Sequence, residues 1–245
     1  PVTIKSVEGI GVLQSAKTYY YVFRGASLIN VVCNISRNRA YPDFKNDSKF
    51  NNLTENTMEI LFKANSFPNT LNTLMGIESN YLLRIGDATI PNNQLQVANC
   101  TSADLQLESG KWYHVAVAFN KGNVKVYING VEKLSGSTGK SSVSLGAKHT
   151  NEEDGSRCFW VGYSYKDDRY FDGVVSEVRI WNRALTAEEI QATNHFYTIE
   201  PESEGLIAYW KFDEGSGTVA KDYSVSGYDL TIEKEPKWES VSLPQ

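Results

Sequence analysis

Along most of this chain apolar and polar residues alternate with a period of two, in short runs separated by Gly, Asn, Asp and Ser. Such alternation puts one set of side chains on each face of a strand. Strands are therefore predicted at 18–24, 27–35, 57–64, 81–86, 112–120, 124–129, 158–164, 174–181 and 206–212. The clearest stretch is GKWYHVAVAFNKGNVKVYINGVEKL. Tyr113, Val115, Val117 and Phe119 alternate there with Trp112, His114, Ala116 and Ala118. After the NKGN reversal, Val124, Val126 and Ile128 share a face. Asn129-Gly130 then offers the positive φ angles of a two-residue type I′ turn, so a three-stranded meander is predicted. Near the end, GLIAYWKFDEGSG sets Leu206, Ala208, Trp210 and Phe212 on one side and Ile207, Tyr209 and Lys211 on the other.

Helical periodicity is nearly absent. One helix is predicted at 186–194, where Thr186 and Glu189 have the spacing of a capping box. It is expected to plug an open end of the structure. The fold class is thus all-β, an antiparallel sandwich or barrel. Residues 1–15 read as a linker remnant, and 16–245 as a single domain with no internal boundary.

With 41 % hydrophobic residues the chain can build a substantial core. Its net charge of −5 argues against nucleic acid or an anionic membrane surface as partner. No apolar run approaches the ~20 residues that span a bilayer, so no membrane insertion is expected. A chain starting at Pro1 is expected to be part of a longer parent. Cys33, Cys100 and Cys158 are too few and too scattered for a disulfide framework or a zinc site, which leaves buried thiols or one bridge.

Three segments carry a resemblance. GKWYHVAVAFNKGNVKVYINGV resembles the central signature of the laminin-G-like, concanavalin A-like lectin family. YFDGVVSEVRIWNRALTAEEI, at 170–190, is similar to the signature that follows it. GLIAYWKFDEGSGTVAKDYSVSGYDLTI resembles the segment that usually opens such domains, although here it stands near the end. The likeness covers roughly 57–232 and extends to a subgroup of gut-bacterial surface proteins, to which TLMGIESNYLLRIGD is suited. It implies a two-sheet jelly roll that binds carbohydrate or protein, in an extracytoplasmic setting at the cell surface.

The candidate chemistry follows from that expectation. A sugar presents apolar C–H faces and a fringe of hydroxyls, so its site needs aromatic platforms and planar polar groups. YSYKDDRYFDG, at 163–173, offers Tyr165, Asp167, Asp168, Arg169 and Tyr170 on a connection between strands. Arg84 and Asp87 in LRIGD add a donor and an acceptor. Trp112, Trp181 and Trp210 are expected in the core. For metal, hard oxygen ligands suit calcium, and Asp172, Asp213, Asp222 and Asp229 are the candidates. In the family the DYSVSGYD position often reads D-x-S-G-N-G-x-D, a calcium loop. Val225 and Ser226 depart from that pattern, and the alternative is that Asp222 and Asp229 brace a tight turn.

The same superfamily hosts glucanases, which need two carboxylates placed together. Neither E-x-D-x-E nor E-x-D-x-x-E occurs, and His114, His149 and His195 are not grouped in sequence. The expectation is a non-catalytic glycan-binding module. A protein-binding, adhesion or spacer module is the first alternative and a glycoside hydrolase the second.

Overall fold

A computed structural model describes residues 13–15, 18–20, 29–78, 80–149, 158–164 and 167–243. Two eight-stranded antiparallel sheets form a sandwich, accompanied by the pair Leu13–Ser15 and Thr18–Tyr20. The first sheet runs, in spatial order, Val131–Ser137, Asn123–Ile128, Trp112–Asn120, Glu55–Ala64, Gly173–Trp181, Ile29–Asn34 and Lys237–Ser242. Leu206–Trp210 also pairs with Gly173–Trp181. The second sheet runs Val219–Ala220, Leu230–Ile232, Ala40–Pro42, Trp160–Val161, Asn72–Ile77, Tyr81–Asp87, Ile90–Val97 and Cys100–Gln106.

The core lies between the sheets. Met58, Ile60, Phe62, Val115, Val117 and Phe119 of the first sheet meet Met75, Leu83, Ile85, Leu95 and Val97 of the second. Burying one such side chain is worth about 1.5–3 kcal/mol, and the alternation supplies them strand after strand. The meander forms as its sequence dictates. Val115 faces Ile128 across the ladder, and Asn129 (φ 50°) and Gly130 (φ 76°) take the left-handed turn.

Three expectations change. Leu206 and Ile207 exchange faces, because the pairing with Ile180 and Trp181 contains a bulge. Ile207, Ala208, Trp210 and Phe212 enter the main core, while Leu206 and Tyr209 pack in a second cluster outside the first sheet. The helix is only Ala187–Ile190; its capping box is present, but turns replace helix from 191 onward. The predicted strand at 158–164 contracts to Trp160–Val161. Of the run at 18–24, Thr18–Tyr20 is strand and the rest lies outside the described residues. Cys33 is a buried free thiol, Cys158 is buried against Trp160 and Tyr163, and Cys100 is half-buried and donates to the Ser137 carbonyl at 3.3 Å.

Candidate functional site

Register defines which side chains of the second sheet face away from the core. Ala40, Val161, Met75, Leu83 and Val97 form one row across it, and all five lie in the core. Their neighbours Tyr41, Trp160, Leu82, Arg84 and Gln96 therefore project from the opposite face. Arg84 sits in register with Thr73 on one side and Gln96 on the other.

One half of this outward face is aromatic. Tyr41 packs edge-on to Trp160 at 5.2 Å, Trp160 to Tyr163 at 5.0 Å, and Tyr163 lies 4.9 Å from Tyr170. The Arg39 guanidinium lies 4.8 Å from the Tyr163 ring and 5.6 Å from Trp160. Trp160 and Tyr163 are buried, whereas Tyr41 and Tyr170 are half-buried.

The other half is polar. Arg84 donates from Nε to Gln96 Oε1 at 2.7 Å and pairs with Asp87 through its guanidinium. Glu78 stands between two guanidinia, 4.0 Å from Arg84 and accepting from Arg169 at 2.8 Å. Asp168 lies 4.0 Å from Arg169 with its own side chain exposed. Two clefts of about 330 and 410 Å³ adjoin here and share Glu78 and Asn80. Arg84, Asn99, Thr138 and Lys140 line the first; Asn46, Asn51 and Ser144 line the second. Amides, a guanidinium, an ammonium and a carboxylate thus converge on a space of ligand size.

Among the residues expected to bind ligand, Arg84 and Asp87 are joined directly, and Asp168 and Tyr170 flank Arg169 in the neighbouring segment. Asp167 opens the 3-10 turn Asp167–Arg169. Tyr165 lies outside the described residues. The sequence reading missed Glu78, Asn80, Asn99 and Lys140. Glu78 and Asn80 share one turn, Asn99 sits on a second and Lys140 on a loop, and only the fold brings the three together.

The four aspartates do not converge on one point; only Asp222 and Asp229 touch. Asp222 accepts three backbone N–H groups, from Tyr209 at 3.0 Å and from Ser224 and Tyr228 at 2.8 Å each. Burial pushes its carboxyl up, against the pull of those hydrogen bonds. Asp229 accepts from the Asp222 N–H at 2.8 Å, so this pair braces a tight turn. Asp172 accepts from Ser66 at 2.5 Å, on another loop, and Asp213 is exposed.

A second polar constellation lies behind the first sheet, under the segment that follows Trp181. Glu59 is fully buried there. Its Oε2 accepts from Trp181 Nε1 at 2.7 Å and lies 3.7 Å from Arg179. Its Oε1 lies 2.6 Å from His195 Nε2 and 3.3 Å from His114 Nε2. Arg179 makes a forked contact with Glu177, at 2.6 and 3.2 Å, and donates to the His195 carbonyl at 2.6 Å. Burial alone would raise the Glu59 carboxyl, but the two imidazoles and the Arg179 charge hold it well below the usual range. The histidines that looked scattered in sequence are thus two-thirds assembled. Trp181 and Trp210 are core residues as expected, but Trp112 is only half-buried, with Lys63 over its ring at 5.5 Å.

Residues 38–191 match the family model of the concanavalin A-like lectin/glucanases superfamily, of laminin-G type, and the chain belongs to this family. A candidate carbohydrate binding protein from Bacteroides ovatus has a similar structure, with a TM-score of 0.71 and 26 % identity over 88 % of this chain. This chain spans 61 % of the length of that one. Domain 4 of AbnA, a GH43 extracellular arabinanase from Geobacillus stearothermophilus, solved with arabinotriose, is more distant. Its TM-score is 0.46 at 22 % identity, over 65 % of this chain and 74 % of that one. A pentraxin of Limulus polyphemus reaches 0.45 at 15 % identity, over 68 % of this chain and 82 % of that one. No curated protein matches the sequence.

Proposed function

We propose that this domain is a non-catalytic carbohydrate-binding module of a bacterial surface protein, taking its glycan in the joined clefts around Glu78, Asn80 and Arg84. The observation that carries the reading is the likeness to the Bacteroides ovatus protein, which extends over 88 % of the chain. The chemistry of the clefts supports it. Sugar hydroxyls need donors and acceptors held in fixed directions, and Arg84 is fixed by Gln96 and Asp87 before any ligand arrives. Glu78 and Asp87 are engaged by guanidinia, which suits hydrogen-bond acceptors better than an acid and nucleophile pair. This reading of the clefts draws on none of Asp172, Asp213, Asp222 and Asp229, so it makes no use of calcium.

A glycan-array screen, run in calcium and again in EDTA, tests this reading. One glycan class should bind equally in both buffers, and Lys140→Ala should weaken it about tenfold or more without lowering Tm. Binding lost in EDTA would restore the calcium expectation. Binding to protein ligands alone would replace the glycan reading with adhesion.

A further inference from the structure

We propose that Glu59, His114 and His195 form a binding site for a divalent late-transition-metal ion, with zinc as the best fit, clasping the 191–197 turn to the back of the first sheet. This proposal does not depend on the glycan reading, because the cluster lies on the other sheet.

The geometry comes first. One ligand atom from each residue lies within 4.8 Å of the other two. Glu59 and His114 come from adjacent strands; His114 stands opposite Leu61 and Glu59 opposite Ala116, so the two side chains are diagonal neighbours on one face. His195 arrives from the turn above. Two imidazoles and one carboxylate are a common donor set for zinc, whose bonds to nitrogen and oxygen are about 2.0–2.2 Å. The Glu59 Oε1 distances of 2.6 and 3.3 Å to the two Nε2 atoms require only small shifts to surround an ion.

A separate observation points to a ligand. His114 is 1 % exposed, yet neither ring nitrogen has a hydrogen-bond partner. Its Nε2 is near Glu59 Oε1 without hydrogen-bond alignment. A buried imidazole with two unpaired nitrogens is costly, at roughly 1–3 kcal/mol for each unsatisfied group. A metal ion at Nε2 would give that atom its missing partner.

Charge and support agree. With neutral imidazoles, the carboxylates of Glu59 and Glu177 share the guanidinium of Arg179, and Lys211 also acts on Glu177. Glu59 Oε1, turned away from Arg179, is the oxygen a cation would meet. The Glu59 oxygen away from the ion is oriented by Trp181, and the His195 backbone by Arg179, so part of the outer shell is in place. His195 also lines a cavity of about 590 Å³ with Asn194, Phe196, Tyr197 and Asn30, which provides a path for the ion to enter.

The test uses chelator-stripped protein titrated with Zn²⁺ and, separately, with Co²⁺ as the spectroscopic probe. Zn²⁺ at a hundredfold excess over Kd should raise Tm by about 5–10 °C. Co²⁺ should give the strong visible bands of a low-coordinate N/O site at one equivalent. His195→Gln, at the rim of the cluster, should keep the fold and lose both effects. His114→Gln should lose them too, while His149→Gln should keep them. Absence of stoichiometric binding by the unaltered protein would overturn the proposal. So would bands and stabilisation that survive in folded His195→Gln.

Discussion

The Trp181 indole donates to Glu59 Oε2 over 2.7 Å, tying Gly173–Trp181 to the neighbouring strand Glu55–Ala64 on the face away from the main core. This bond shows how a carboxylate is tolerated in a fully buried position: each oxygen is given donors or cations by a different element. Trp181→Phe keeps most of the apolar contact but removes the donor. The variant should lose about 1–3 kcal/mol in urea unfolding, the cost of one under-satisfied buried oxygen. An unchanged urea midpoint would mean that Arg179 and the histidines suffice for Glu59.

Gly76 lies in register with Trp160 and holds a φ of 122°. A Cβ there would collide with the Tyr81 carbonyl oxygen and come within 2.9 Å of Leu82 Cα. Gly76→Ala should cost about 1–3 kcal/mol from the backbone alone and should disturb the hairpin that carries Glu78. The same urea experiment, paired with glycan binding, reads both effects. Full stability in the variant would show that this hairpin is slack.

Asp47 accepts from the Lys49 N–H at 2.9 Å and from the Tyr228 hydroxyl at 2.9 Å. These hydrogen bonds, the backbone one foremost, hold its carboxyl below the ordinary value. A lowered pKa stabilises the folded state above the unfolded carboxyl value, near 3.9, and the gain fades as pH falls through the lower folded value. The stability difference between the unaltered protein and Asp47→Asn should therefore be present at pH 7 and shrink below pH 4. Because the group is largely exposed, the difference should stay under about 1 kcal/mol. A gap that widens on acidification would reverse the assignment.

The meander was legible because its strands alternate cleanly and Asn129-Gly130 marks the turn. The capping box of Thr186 and Glu189 was legible for the same reason: its chemistry is local. Ile90–Val97 and Cys100–Gln106 were not seen, since polar side chains such as Asn92 and Gln94 dilute their alternation. The faces of Leu206 and Ile207 were misassigned because a bulge is a property of the pairing, which one strand alone does not reveal. Arg84 and Asp87 were both singled out, but their ion pair was not legible: three residues apart, they would lie on opposite faces without the bulge between Ile85 and Asp87. The turn with Glu78 and Asn80 could not be joined to Asn99 and Lys140, nor Glu59 to His114 and His195, because long-range register alone makes them neighbours.

The edge strand Lys237–Ser242 hydrogen-bonds along the whole of Ile29–Asn34, and Asn34 meets Glu239 across 205 positions of sequence. On a ribosome these two strands are made far apart in time. At about 5–20 residues per second, Ile29–Asn34 would wait roughly 10–40 s for this partner. Through that interval Cys33, deep in the finished core, and the open edge beside it would be exposed to other chains and to oxidants. The closing strand therefore sets how long that edge of the nascent domain stays unpaired.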